Sequence, residues 1–296
     1  MLNNIRHFLY CPMTGLGLHG GSRGNIWLQN RIKIFKQFVI PSLKNQTNKD
    51  FILWVSWRWE DRRNLLVKEL KLYLENIIEF QTVFTYSGVC FWDDKYPDEI
   101  ACDRLLTSLH GSIGELLNVA READYVLMTI QPSDDCYHRN AILGIQKIFE
   151  CQPHLQAIGF RKGYIMDYLT KELAEYNPLT IPPFFTIKFP IKIFKDPFRH
   201  AEYSGPYKSH EYIAEKLKWG EIGERGFLVG THGENISTVF NHPFKGRVIE
   251  GEEKSKVLKD FNLYNTNCLK LEFSPKNWIL KKMPNIRTKI YNWLRN

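Results

Sequence analysis

Apolar residues run along this chain in two rhythms. One is the unbroken run of strand length: "IRHFLY" (Ile5 to Tyr10), "DFILWVSW" (Asp50 to Trp57), "EFQTVFTY" and "DYVLMTI" (Asp124 to Ile130). Runs of this kind suit strands buried on both faces, the usual condition of parallel sheets. The other rhythm recurs at threes and fours. In "NIWLQNRIKIFKQFVIPSLKNQT", Trp27, Ile34, Phe38 and Leu43 suggest helical spacing, with Asn25 placed to cap its start and Pro41 to kink or split it. "EDRRNLLVKELKLYLENI", the stretch around "LTSLHGSIGELLNVAREA", and "HRNAILGIQKIFE" read as further helices. Strand and helix thus alternate through the first 150 residues, which predicts a mostly parallel sheet with helices on both faces.

Beyond residue 150 the texture changes. "QAIGFRKGYIMDY" reads as a strand or hairpin, and "PPFFTIKFP" as an extended, proline-punctuated segment. A helix near "SHEYIAEKL" and a polar loop, "GTHGENISTVFNHPFKG", follow. No internal repeat or low-complexity tract occurs, so this half reads as an elaboration of the first sheet.

Composition narrows the class. A hydrophobic content of 44% over 296 residues supports a folded α/β body. No run approaches the ~18 apolar residues of a membrane span. The six cysteines show no C-x-x-C spacing, which argues for reduced thiols and a cytoplasmic setting over a zinc ribbon or disulfide framework. The net charge is +8, and it is uneven: no acid precedes Asp50 and none follows Glu272. Basic ends suit phosphate or anionic lipid. Nucleic acid is not expected, because neither zinc-finger spacing nor an RNP motif is present.

Three stretches carry candidate chemistry. Gly15, Gly17 and Gly20 spell G-x-G-x-x-G in "MTGLGLHGGSRG". A dinucleotide fingerprint would turn directly into a helix and meet an acid about 20 residues on. Here "GSRG" delays the helix and no acid appears before Asp50, so the stretch reads as a basic glycine loop. "QPSDD" is better placed: Asp134 and Asp135 follow an apolar strand, where open α/β sheets bind ligands. Paired carboxylates suit Mg²⁺ or Mn²⁺, or else cap a helix beginning near Tyr137. In "GTHGENISTVFNHPFKGR", His232 is a candidate to complete a metal shell begun by the aspartates, unless Asn235 and Ser237 merely build a turn.

The segment "WLQNRIKIFKQFVIPSLKNQTNKDFILWV" (Trp27 to Val55), with the aspartate motif, "GYIMDY" and "HGENIST" in the same order, resembles a bacterial family described as rhamnosyltransferases, a family 2-like group of GT-A glycosyltransferases. The resemblance spans Trp27 to Thr238. It implies a Rossmann-like GT-A domain over 1–250, with a nucleotide-sugar half (1–150) and an acceptor half (151–250), then an extension, 251–296. It further implies transfer of a sugar, rhamnose by the family's label, from a nucleoside diphosphate donor to a glycan or lipid-linked hydroxyl, with inversion and with Mn²⁺ or Mg²⁺ as cofactor. On this reading Asp134, Asp135 and His232 hold the metal. Arg23, Arg31 and Asp134 face the donor. Glu211 is the first candidate for the base that deprotonates the acceptor, and Asp167 the second. One departure matters: where the family has Asp-x-Asp-Asp, this chain has Pro132-Ser133-Asp134-Asp135. The first acid is lost, which keeps open a catalytically impaired sugar-nucleotide-binding protein. A phosphate-ester enzyme using the same acids is the other alternative.

The tail "NWILKKMPNIRTKIYNWLRN" pairs Lys281, Lys282, Arg287, Lys289 and Arg295 with Met283, Ile286, Ile290, Trp293 and Leu294 at helical spacing. That pattern fits a basic amphipathic helix on an anionic membrane surface, or a last helix packed on the body.

Overall fold

The computed structural model describes residues 4–14, 24–88, 111–120, 122–196, 198–199, 203, 213–235 and 238–272. The glycine loop with Arg23, the loop around "FWDDKYPDE", Glu211, Ser237 and the basic tail from residue 273 lie outside the described residues.

The apolar runs form strands where expected: β1 (Ile5–Cys11), β2 (Ile52–Arg58), β3 (Gln81–Gly88) and β4 (Tyr125–Ile130). All pair in parallel, in the order β4-β1-β2-β3. Alternate side chains then divide between two helical layers, as the pleat requires. Leu9 and Cys11 of β1 join Leu53, Val55 and Trp57 of β2 in one core; Phe8 and Tyr10 join Ile52 and Trp54 in the other. The first core is covered by α1 (Gly24–Ile34), α3 (Leu65–Glu75) and α5 (Ala141–Cys151). The second is covered by α4 (111–120) and the short helix Ile191–Phe194.

The second half completes the same sheet. β5 (Cys136–Tyr137), β6 (Ala157–Asp167), β7 (Leu173–Tyr176), β8 (Phe185–Pro190), β9 (Trp219–Thr231) and β10 (Lys245–Val248) extend it to ten strands, with the main path β10-β7-β6-β8-β4-β1-β2-β3. β8 runs antiparallel beside β4, so the two halves share one sheet, and parallel pairing returns where β9 lies on β6. β9 fills a stretch to which the sequence reading assigned no element, and runs two residues into the expected polar loop; "WGEIGERGFLVGT" hides its strand character behind charged residues in its outer half. The segment 157–167 is one 11-residue strand, β6. Helix α5 starts at Ala141, so the aspartates do not cap it.

Two helix starts also differ. Asn25 lies inside α1; its Oδ1 accepts the Asn64 amide at 3.1 Å. "EDRRNLLVKEL" is split into a 3₁₀ turn, Trp59–Arg63, and α3, whose cap is Asn64 accepting the Leu66 N–H. Pro41 splits the long first helix as expected, and does so through a π-helical turn, Phe35–Val39, leading into α2 (Ile40–Lys44). Proline has no N–H to donate and its ring crowds the carbonyl four residues back, so the wider turn relieves the ladder. The Phe38 carbonyl accepts the Cys136 thiol at 3.4 Å, and the Phe38 ring stacks on Tyr168 at 3.7 Å between centroids. The Cys136 thiol is accordingly pushed up, by burial first, to about 12.

Candidate functional site

Topology sets the site. From β1 the chain turns to α1 and β2 on one side; beyond β4, on its other side, lies β8. The crevice at the carboxyl ends of β1 and β4 is therefore a switch point, where open α/β sheets receive ligands. The ladder continues one step beyond β4, with the Gln131 N–H on the Tyr10 carbonyl at 2.8 Å. Pro132 and Ser133 then turn the chain, delivering Asp134 and Asp135 to the crevice.

Asp134 and His232 are 98 positions apart, and strand pairing brings them together. β5 follows the aspartates and pairs with β9, Cys136 opposite Leu228, so the end of β9 arrives beside them. The Gly230 N–H donates to Asp135 Oδ1 at 2.9 Å. His232 Nε2 lies 3.1 Å from Asp134 Oδ2, and the Asn235 amide donates to the same oxygen at 3.3 Å. From α1, Arg31 Nη1 approaches that oxygen at 2.5 Å. Tyr168, just past β6, donates its hydroxyl to the Asp134 carbonyl at 2.9 Å.

The electrostatics follow from this crowding. Burial alone would raise the Asp134 carboxyl, but the Arg31 charge and the His232 hydrogen bond outweigh it and hold the group well below the carboxylate range. Asp135 goes the other way: burial and the neighbouring Asp134 charge raise it, against the Gly230 N–H. Burial lowers His232 despite its bond to Asp134. Its Nδ1 accepts the Glu234 N–H at 3.3 Å, which makes the ring a neutral Nε2–H donor toward Asp134.

The structure thus gathers Arg31, Asp134, Asp135 and His232 from the sequence expectations. Asp167 stands apart: its Oδ1 accepts the Leu169 and Thr170 N–H groups at 2.7 and 3.3 Å, bracing the turn after β6. Arg23 and Glu211 lie outside the described residues. Five residues without an earlier role also belong here. Gln131 is fully buried and ties the turn by donating to the Pro132 and Asp135 carbonyls, while its Oε1 has no partner among the described residues. Asn30 receives the backbone of Glu272 and donates to Glu234, fastening the segment that follows helix Gly251–Asp260 beside the site. At the neighbouring strand ends, Thr14 donates to Asp61 at 2.6 Å and Arg58 grips the same carboxylate with two nitrogens. Gln131 was legible as part of "QPSDD"; Asn30, Thr14 and Asp61 carry no local signal.

A divalent ion on Asp134, Asp135 and His232 would need lone pairs that point at it. Here Asp134 Oδ2 is surrounded by three donors, Asp135 Oδ1 is held by a backbone N–H, and His232 offers a proton. Among the described residues no group of three His, Cys, Asp or Glu side chains is arranged to hold a metal. This donor set does not fit the ion. Likewise, among the described residues no helix is long and apolar enough to cross a membrane.

No protein-family model matches the chain, and no curated protein matches it. Solved structures give distant matches. TarS of S. aureus is 13% identical at a TM-score of 0.40, over 77% of this chain and 37% of that one. A TarS fragment, residues 1–349, is 12% identical at 0.41, over 96% and 73%. A protein described as a nucleotide-diphospho-sugar transferase from Desulfovibrio desulfuricans is 13% identical at 0.35, over 77% and 82%. The chain spans little more than a third of the length of the full TarS chain, and likeness at these identities and TM-scores assigns it neither a family nor an activity.

Proposed function

We propose that this chain is a glycosyltransferase that takes a sugar from a nucleoside diphosphate donor and places it on a hydroxyl of a glycan or lipid-linked acceptor, with rhamnose the first sugar to test. The observation that carries the reading is the polar cluster of Arg31, Asp134 and His232 at the β1/β4 switch point. A nucleotide sugar needs both parts of such a site: a cation near the diphosphate and oriented acceptors for its hydroxyls. The ordered motifs from Trp27 to Thr238 support the same reading.

In the proposed reaction the acceptor oxygen attacks the anomeric carbon as the bond from that carbon to the β-phosphate oxygen breaks. The electron pair leaves with the diphosphate, and the acceptor's proton passes to a carboxylate, with inversion. The sugar becomes oxocarbenium-like on the way. Arg31 and Arg23 are the cations assigned to the departing charge. Glu211 is the first choice of base and Asp167 the second; Asp167 keeps Oδ2 clear of hydrogen bonds among the described residues, whereas Oδ1 braces a turn. One observation favours a binding-only role instead: Pro132 stands where the related motif carries an acid.

A panel of nucleotide sugars, screened by thermal shift and by release of nucleoside diphosphate in the presence of glycan acceptors, tests the proposal. We expect one donor to raise the melting temperature and Asp134→Ala to abolish the rise. A panel in which no nucleotide sugar shifts the transition would refute it. Stabilisation without turnover across acceptors would favour the binding-only role.

A further inference from the structure

Resting on that reading, we infer that the site works without a divalent ion: Arg31 is its resident cation, and Asp134 meets the ligand through Oδ1 as an acceptor for a sugar or ribose hydroxyl.

The geometry around one carboxylate carries the inference. Asp134 Oδ2 takes three donors, from Arg31 at 2.5 Å, His232 at 3.1 Å and Asn235 at 3.3 Å. A metal on that oxygen would displace a guanidinium already in contact with it. Arg31 is in turn held in place. It lies about one turn before the π-helical segment, its side chain is 6% exposed, and its guanidinium sits 5.4 Å from the Trp27 ring centroid. Asp135 has only Oδ2 left to offer, since its Oδ1 holds the Gly230 N–H at the end of β9. His232 supplies none either, because its Nδ1 takes the Glu234 N–H and its Nε2 proton points at Asp134. Hard cations want several oxygens and keep an octahedral shell, and here Asp134, Asp135 and His232 each commit at least one ligand atom to a hydrogen bond within the protein. Asp134 Oδ1 differs: it has no hydrogen bond among the described residues, on a side chain 15% exposed. An ionised carboxylate fixed by donors on one oxygen and open on the other is well formed to accept a hydroxyl.

Mn²⁺ reports on this directly through the paramagnetic resonance signal of the free ion, with the full chain and no nucleotide present. We expect the wild type to take up no more Mn²⁺ than Asp134→Asn. Uptake by the wild type that Asp134→Asn removes would overturn the inference. Arg31→Met removes the resident cation while keeping much of the side chain's bulk, and should tighten Mn²⁺ binding by about tenfold or more. A folded Arg31→Met that gains no Mn²⁺ would overturn the role given to Arg31; should that variant not fold, the wild-type comparison alone decides. In parallel, calorimetry with four nucleoside diphosphates should give the same affinity in EDTA and in Mn²⁺, and a gain with Mn²⁺ that depends on Asp134 would refute metal-free binding. If none of them binds under either condition, the proposed function fails, while the Mn²⁺ comparison still judges the donor set by itself.

Discussion

The Arg31–Asp134 pair makes a prediction with a magnitude. Both side chains are withdrawn from water, at 6% and 15% exposure, and meet at 2.5 Å. With charge centres roughly 4 Å apart and an effective dielectric of about 20, the attraction is about 4 kcal/mol. Desolvation offsets part of this, so the pair as a whole adds little stability, but removing one partner strands the other. Asp134→Ala should therefore cost about 3 kcal/mol, because Arg31 keeps its charge under α1 with no carboxylate against it. Arg31→Ala should cost a similar amount, leaving Asp134 with only His232 and Asn235. The double variant should lose far less than the sum, giving a coupling of about 2 kcal/mol. Urea unfolding at pH 7 measures all three. For a chain of this size a 3 kcal/mol loss moves the midpoint by about 1 M. Strictly additive losses would show that the two charges do not depend on each other, and the account of the site would fall with them.

Three further outcomes follow from other parts of the molecule. His7 is buried between β4 and α5, with Nε2 on Thr129 at 2.6 Å, and burial lowers it from 6.5 to about 3. The unfolded chain then binds a proton that the native state refuses, so stability is full above pH 6.5 and falls as the pH drops toward 3. Between pH 7 and 4.5 the wild type should lose about 3 kcal/mol that His7→Gln does not, read from paired urea midpoints; parallel losses would refute this. Gly230→Ala should damage the site more than its size suggests. A Cβ there would meet the Tyr168 ring at 2.3 Å and the Asp134 carbonyl at 2.4 Å, so donor binding should weaken by about tenfold or more even where the fold survives, and unchanged binding would contradict the packing. Removal of residues 273–296 should abolish co-sedimentation with anionic liposomes, and equal binding by both chains would reject a membrane role for the tail.

Much of the architecture was legible along the chain because burial on both faces leaves a continuous apolar run. "DFILWVSW" and "DYVLMTI" declare themselves as β2 and β4 for that reason. β9 was not legible, because a strand with charge in its outer half does not look buried until β6 and β5 are laid beside it. The same limit governs the site. Asp134 was found from its place after a strand, and His232 from a polar loop, yet neither shows in sequence what the other faces. Sequence alone determined the α/β layering, the Pro41 break and the two motifs that meet. Only the tertiary structure decided that Arg31 occupies the oxygen a metal would need and that one oxygen of Asp167 braces a turn. Strand character is written in local periodicity. The partner of a charged group is set by contacts across a hundred residues, and those contacts fix whether it binds a metal, a hydroxyl or another side chain.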